Sequence, residues 1–414
     1  MLTAIEARSY RCLQSVRQPL GRFNVLVGPN GSGKTTFLDV LLFLRSLLSQ
    51  GLGTAITDRT PDFQRLLWTD SFLPLNPTFW LAVSAGMPEG ALNPSPEGAY
   101  DMARYAVCVG SHERGRAEIM DEQVCLANNT VQQATSSGRA AMFSMDIPGG
   151  KSLLILPPAL SPRERLVSSQ IGPPERYVVR MDPDRTVLDR LPSSGFLVTH
   201  WLRHLLTQNI YYISLDSKAL RLPSRAPVTQ DPLLIMGGGG YLPWLVNEIC
   251  QPSYEAAMQA WMAHVRTALP DIESVRDIER EEDRSRFLMV RYRNGAELPS
   301  WVVSDGTLRL LALTILPHVP RPGGIYLIEE PENSLHPHNI ETVMQSLQSV
   351  YKGQVLVATH SPLVLSQTRP EDILVFSRDE HQGTTITVGS EHPGLRDWKG
   401  EVNLGTLFAG GVLG

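Results

Sequence analysis

The sequence predicts an α/β fold: a mixed or parallel sheet flanked by helices, with an antiparallel β part attached. Three observations predict it. An apolar run, Phe23-Asn-Val-Leu-Val27, leads into the glycine-rich stretch Gly28-Pro-Asn-Gly-Ser-Gly-Lys34-Thr35-Thr36, and the helical run Phe37 to Leu44 follows directly. Two later apolar runs, Gly324 to Ile328 and Gln354 to Ala358, end in the polar tips Glu329-Glu330-Pro331-Glu332 and Thr359-His360-Ser361-Pro362. Such short apolar runs bounded by polar tips are what buried strands of a parallel sheet look like. Between them, Phe79 to Ser84, Tyr105 to Val109 and Ala117 to Leu126 read as strands of an antiparallel meander.

Taken in order, residues 2–7 alternate as a first strand, and helical pattern runs from about 36 to 50. The segment from 51 to 100 carries Pro74, Pro77, Pro88, Pro94 and Pro96 and reads mostly as loop. Residues 127–150, rich in Ser, Gly, Asn and Gln, read as a loop or hairpin connection, and from 151 to 225 the balance turns basic. Val198 to Gln208 is expected as a short helix and Ile210 to Ser214 as a strand. Gly237 to Gly240 reads as a flexible joint in preference to a phosphate-approach loop, and 241–268 as helical. Phe287 to Arg293 and Glu297 to Val303 flank Asn294-Gly295, a β-hairpin pattern. No sustained heptad run appears. The expected division is an N-terminal lobe at 1–126, an inserted α/β arm region at 127–285 and a C-terminal lobe at 286–414.

A length of 414 residues allows two or three domains, and a hydrophobic share of 42% suits a globular core. The net charge of −5 argues against wholesale wrapping of nucleic acid, while leaving room for a local basic groove. Cys12, Cys108, Cys125 and Cys250 are scattered and form no C-x-x-C pair, which speaks against zinc and against a disulfide framework. The N-terminus lacks an apolar signal core, and no apolar run approaches a membrane span. A cytoplasmic protein with no membrane partner is expected.

The glycine-rich stretch fits the template G-x-x-x-x-G-K-[ST] in its expected strand and helix context. Asn30, Gly31, Ser32, Gly33, Lys34, Thr35 and Thr36 would wrap backbone N–H groups around a triphosphate, aided by the helix dipole. Lys34 would reach the β- and γ-phosphates, and the Thr35 hydroxyl would hold Mg²⁺. Glu329 is expected beside this loop at a strand's C-terminal end, holding Mg²⁺ through water. Glu330 would orient or deprotonate the attacking water. The bland alternative for both acids is a solvated strand end. His360 could hydrogen-bond a γ-phosphate oxygen, against a purely structural role. In Ser304-Asp-Gly306-Thr-Leu-Arg309, Ser304 and Gly306 open a helix and form a second anion-binding terminus. One subunit cannot easily direct two such termini at one γ-phosphate, so a head-to-tail homodimer is expected. A simple helix cap is the alternative.

These elements, in this order, resemble an ABC-class ATPase of the RecF/SMC/OLD branch, most of all the compact stand-alone AAA_21, OLD-like ATPases. The resemblance rests on Phe23 to Thr36, Ser304 to Arg309, Ile328 to Pro337 and Ala358 to Pro362, and covers about 150 residues, 1–50 and 285–370. It implies an ABC-ATPase head whose dimer sandwiches two ATP molecules, with higher oligomers open. It also implies that Asn333 to His336 form a loop crossing the interface, that His360 is a switch histidine, and that Arg11 lies near the nucleotide base. Gln64 is a candidate for the family's glutamine loop. Glu329 departs from the family, in which many relatives carry Asp; a changed hydrolysis rate with retained binding is expected. Only about fifty residues follow the His360 motif, too few for the TOPRIM nuclease domain of OLD nucleases.

The implied activity is ATP hydrolysis in a switch or sensor acting on a separate effector, such as a nuclease, in antiphage defence. The alternative is a RecF-like protein clamping DNA, with Arg163, Arg165, Arg176, Arg180, Arg185 and Arg190 lining a groove. Against it, those arginines can pair with Glu164, Glu175, Asp182 and Asp184 on a solvated face. A transporter subunit is disfavoured, because the chain between Lys34 and Ser304 is too long for one.

Overall fold

The computed structural model describes residues 1–68, 77–88, 100–111, 116–127, 151–155, 164–168, 176–180, 182–192, 194–225, 231–319, 321, 323–379, 383–395 and 403–412. Spatial contacts divide the chain into two compact units, interleaved along the sequence. One comprises Met1–Gly21, Asn30–Gln208 and Ser377–Ile386, and the other Arg22–Pro29, Asn209–Phe376 and Thr387–Gly414.

The first unit contains an eight-stranded sheet. Its order is Leu13–Pro19, Leu2–Tyr10, Thr78–Gly86, Met102–Ser111, Ala117–Ala127, Lys151–Ile155, Glu164–Ser168 and Arg176–Arg180. Every pairing in it is antiparallel, as the meander pattern predicts. The helix Lys34–Gln50 has no interior glycine or proline and ends at Gly51, whose φ of 95° few other residues adopt. It buries Phe37, Leu41, Leu44 and Leu48, a spacing that draws one continuous face. Phe43, on the same helix, meets Tyr10 at 5.9 Å and Phe79 at 5.4 Å between ring centroids. Edge-to-face pairs of this kind each contribute about 0.5–1.5 kcal/mol beyond area burial.

Two expectations change in this unit. Leu52–Thr57 is a short helix and Phe63–Leu66 a 3₁₀ turn, where the proline-rich composition downstream had suggested loop. The three strands from 151 to 180 were not anticipated. They are five residues each and sit at the far edge of the sheet, where patterning is weak. The loop reading for 128–150 lies outside the described residues, as do Pro74, Pro94 and Pro96.

The second unit is built on the parallel sheet. Its order is Ile210–Ile213, Ile325–Glu329, Gln354–Thr359, Phe23–Val27 and Ile373–Asp379. All five run parallel to their neighbours. Phe23–Val27 and Gln354–Thr359 are buried at every position, which is why they read as unbroken runs. Helices Leu242–Ile249, Glu255–Ala268, Asp305–Thr314 and Pro337–Gln348 bring Leu245, Trp261, Leu311 and Val343 into one core with Val25, Val357 and Ile328. The indole of Trp261 is not left unpaired there, since its Nε1 donates to Thr314 Oγ1 at 3.0 Å.

A separate three-stranded antiparallel sheet joins Ile272–Glu279, Arg286–Tyr292 and Glu297–Pro299. The hairpin turns at Asn294-Gly295, with Gly295 at φ +85°, as expected. Its last strand stops at Pro299, short of the predicted Val303, because proline has no N–H to continue the ladder.

Gly237–Gly240 is not a joint. A Cβ on Gly237 would fall 1.8 Å from the Tyr212 carbonyl oxygen, and one on Gly239 would fall 2.5 Å from Leu220 Cδ2. Ser214 and Asp216 donate their backbone N–H groups to the carbonyls of Gly237 and Gly238 at 3.1 and 2.8 Å. These glycines serve close backbone approach, a use that composition alone does not separate from mobility.

Candidate nucleotide site

In the first unit, the loop residues Asn30, Gly31 and Thr35 are exposed, Thr36 is half-buried, and Ser32, Gly33 and Lys34 are buried. Gly31 and Gly33 have φ of 76° and 108°, conformations that turn successive N–H groups inward. The helix Lys34–Gln50 begins at Gly33 with no side chain capping it and no acid in its first turn. Neither an acid nor a capping side chain therefore offsets its positive dipole end, which favours an anion. Ser32 Oγ is buried without a hydrogen-bond partner, a polar atom that a bound oxyanion would satisfy. Beneath the loop, Thr384 Oγ1 donates to the Ser32 carbonyl at 2.8 Å, and the Thr384 N–H donates to Cys12 O at 3.0 Å.

Arg11 is engaged rather than open. With φ +49°, it pairs through Nη1 with Asp39 Oδ2 at 3.2 Å on the loop's own helix. Asp39 also accepts from Tyr10 Oη at 2.6 Å and from Arg59 Nε at 2.7 Å. This network ties the first strand to the helix that follows the loop. Gln64 lies in the Phe63–Leu66 turn, its backbone N–H bonded to Asp62 Oδ1 at 3.0 Å.

In the second unit, the strand ends carry the chemistry. Register pairs Glu329 with Ala358, Ala358 with Leu26 and Thr359 with Val27. Glu329-Glu330, His360 and Gly28-Pro29 therefore leave the sheet along one C-terminal edge, where ligands of parallel sheets bind. The strand of Glu329 does not neighbour Phe23–Val27, because Gln354–Thr359 lies between them. Two strand spacings separate them, about 10 Å. His360, not Glu329, follows the strand next to the loop's own.

Glu329 Oε2 accepts from Tyr212 Oη at 2.7 Å, while Oε1 is buried and has no hydrogen-bond partner. Glu330 is exposed and left-handed, φ +46°, which costs a non-glycine residue roughly 1–2 kcal/mol. Its N–H is held by the Ala358 carbonyl at 2.8 Å, and its carboxylate accepts from Asn333 Nδ2. The backbone is thereby fixed while the carboxylate faces solvent. Glu332 accepts from the Thr359 hydroxyl. Burial raises its carboxyl above the ordinary range, against the opposing hydrogen bonds from Thr359 and the His360 N–H. Half-buried His360 thus starts from a backbone tied to the Glu329 strand's loop.

Ser304 caps the helix Asp305–Thr314, its Oγ accepting from the Thr307 N–H at 3.2 Å. The capping role is therefore real, and Ser304 itself remains exposed at the helix start. Burial disfavours the charge on Asp305, but hydrogen bonds from Ser217, Arg309 and Ser334 outweigh it and hold the carboxyl below its usual range. Gly306 is required sterically: a Cβ there would fall 2.7 Å from the Ser334 carbonyl oxygen. The helix Asp305–Thr314 and the Asn333–His336 loop consequently touch within one chain.

Glu329 Oε1, buried without a hydrogen-bond partner, is an oxygen donor of the kind a hard cation such as Mg²⁺ takes. Sequence reasoning missed Tyr212, Asp39 and Thr384. None lies in a motif, and only Asp39, on the loop's helix, had a positional signal.

Among the described residues, no helix is long and apolar enough to cross a membrane. The family described as "AAA domain, putative AbiEii toxin, Type IV TA system", AAA_21, matches residues 23–75 and 254–366. A stretch of 38 residues is 47% identical to the OLD nuclease of Thermus scotoductus (strain ATCC 700910 / SA-01), covering 9% of this chain and 7% of that protein. The chain is also similar to an Smc head bound to the C-winged helix domain of ScpA, with TM-score 0.51 and 15% identity over 93% of this chain and 96% of that one. A second similar structure is an Smc head with an extended coiled coil bound to the C-terminal domain of ScpA, derived from Pyrococcus furiosus. There the TM-score is 0.51 and the identity 13%, over 93% of this chain and 95% of that one. The fold is that of the SMC-type ATPase heads, a P-loop NTPase fold. The AAA_21 segments and the short stretch shared with the OLD nuclease are likenesses to that family and that protein over parts of the chain.

Proposed function

We propose that this chain binds ATP with Mg²⁺, closes into a head-to-tail homodimer around it, hydrolyses it and reopens. The observation that carries the reading is the shared C-terminal edge of Glu329-Glu330, His360 and Gly28-Pro29, with Glu329 Oε1 buried and unsatisfied. Lys34 and the N–H groups from Asn30 to Thr36 hold the phosphates, and Thr35 and Glu329 hold the cation. Mg²⁺, when bound, neutralises charge on the phosphate oxygens. Glu330 orients or deprotonates the attacking water, and His360 donates to a γ-phosphate oxygen. Ser304 and Gly306 present their helix N-terminus to the nucleotide held by the second copy. Arg11 contributes near the base through the Asp39 network.

The role that follows is a cytoplasmic switch whose closure and reopening act on a separate effector, a nuclease by analogy with the OLD relative, in antiphage defence. The DNA-clamp reading has less support. Arg185 pairs with Asp189 at 3.6 Å and Arg190 pairs with Asp182, so these charges are already engaged. The side chains of Arg163, Arg165 and Arg176 lie outside the described residues.

The test is Mg²⁺-dependent ATP binding and hydrolysis by the purified chain, with Lys34→Ala as comparison. Lys34→Ala is expected to lose nucleotide binding. Wild-type affinity in that variant, or no affinity in the parent, sinks the reading. A steep salt dependence of DNA binding would favour the clamp, and co-purification of an effector would favour the switch.

A further inference from the structure

We infer that Thr384 is a positioning residue for the nucleotide-binding loop, setting the direction of the Gly33 N–H from a distant part of the chain. The inference rests on the ATP reading above. Thr384 is 2% exposed, and its hydroxyl donates to the Ser32 carbonyl at 2.8 Å across 352 residues of sequence. That carbonyl and the Gly33 N–H belong to one planar trans peptide, so they point in opposite directions. Holding Ser32 O down onto Thr384 therefore turns the Gly33 N–H away from Thr384, toward the open side of the loop.

Three features make this a built contact. The Thr384 N–H is fixed by Cys12 O at 3.0 Å, so the side chain starts from an anchored backbone. A Cβ on Gly33 would fall 2.4 Å from Thr384 Oγ1 and 3.1 Å from Cys12 Sγ, so glycine is needed for the hydroxyl to come this close. Gly383, one residue earlier, is also confined: a Cβ there would meet Cys12 O at 2.8 Å and Trp68 Cζ3 at 3.0 Å. The template's glycine at 33 thus answers to two demands, φ +108° and room for Thr384. Without the hydroxyl, the Ser32–Gly33 peptide is free to rotate, and its N–H must be reordered each time a phosphate binds.

The experiment compares Thr384→Val and Thr384→Ser by calorimetric titration with Mg²⁺ and a non-hydrolysable ATP analogue, and by steady-state ATPase kinetics. T384V is expected to bind the analogue about tenfold more weakly, the scale on which a lost contact to a ligand-holding group acts. Its KM for ATP should rise with little change in kcat, and T384S should restore wild-type affinity. Should T384V fold poorly, the pair T384A and T384S makes the same comparison, since both lack the methyl and differ in the hydroxyl. Wild-type affinity in T384V or T384A overturns the inference while leaving the ATP reading in place. A parent chain that binds no analogue overturns both.

Discussion

The Tyr212 hydroxyl donates to Glu329 Oε2 at 2.7 Å, and the other carboxylate oxygen stays buried without a partner. A hydroxyl on a neighbouring strand thus orients one oxygen and leaves the second for another ligand. Removing a group that orients a metal-binding side chain commonly lowers metal affinity or activity by about 10–100-fold. Tyr212→Phe should raise the Mg²⁺ concentration for half-maximal ATPase by about tenfold or more. A Mg²⁺ titration unchanged from the parent would show that Glu329 needs no such support.

Glu330 is backbone-locked through its N–H to Ala358 O, with its carboxylate exposed. Glu330→Gln keeps the shape and the contact to Asn333 while removing the proposed base. It should retain ATP binding, lose most turnover and accumulate a dimer with ATP and Mg²⁺. Light scattering after size exclusion checks this, and a variant that stays monomeric at saturating nucleotide rules out the sandwich.

Gly306 brings the helix Asp305–Thr314 close to the Ser334 carbonyl, leaving no room for a Cβ. Gly306→Ala places a methyl 2.7 Å from that oxygen, so one of the two elements must move. Overpacking of this kind costs about 1–3 kcal/mol. Denaturant unfolding should show that loss, and Glu330→Gln combined with Gly306→Ala should no longer dimerise with ATP. Parent-like stability and dimerisation would mean the contact relaxes freely.

His318 supplies a pH test independent of catalysis. Burial, with His264 adding, lowers its pKa from 6.5 to about 4. The unfolded chain therefore binds a proton more readily than the folded one between these values. Stability should be fully present above pH 6.5 and fall as pH drops toward 4. His318→Gln should flatten that window relative to the parent, as read by urea midpoints across it. Parallel curves for the two proteins would contradict it.

Much of the fold was legible because its signals are local. Phe23–Val27 and Gln354–Thr359 read as strands since burial on both faces leaves no polar interruption. The meander from Thr78 to Ala127 and the Asn294-Gly295 turn also carry their own patterns. The short strands between 151 and 180 did not, because a run of five residues is too short to establish a periodicity. Gly237–Gly240 misled for a related reason. Glycine marks both mobility and close packing, and only the Tyr212 carbonyl 1.8 Å from a would-be Cβ distinguishes them.

The sequence by itself determined the elements and motifs that bear the residues proposed to handle a triphosphate. Lys34, Thr35, Glu329, Glu330 and His360 sit in contiguous motifs whose spacing is set by backbone geometry. Only the tertiary structure decided that the His360 strand lies between those of Glu329 and Val27. It alone brought Tyr212 to Glu329 across 117 residues and Thr384 to Ser32 across 352. Strand order and long-range hydrogen bonds arise from how the whole chain buries its apolar faces, and a single hydroxyl that completes them leaves no periodic trace in the sequence.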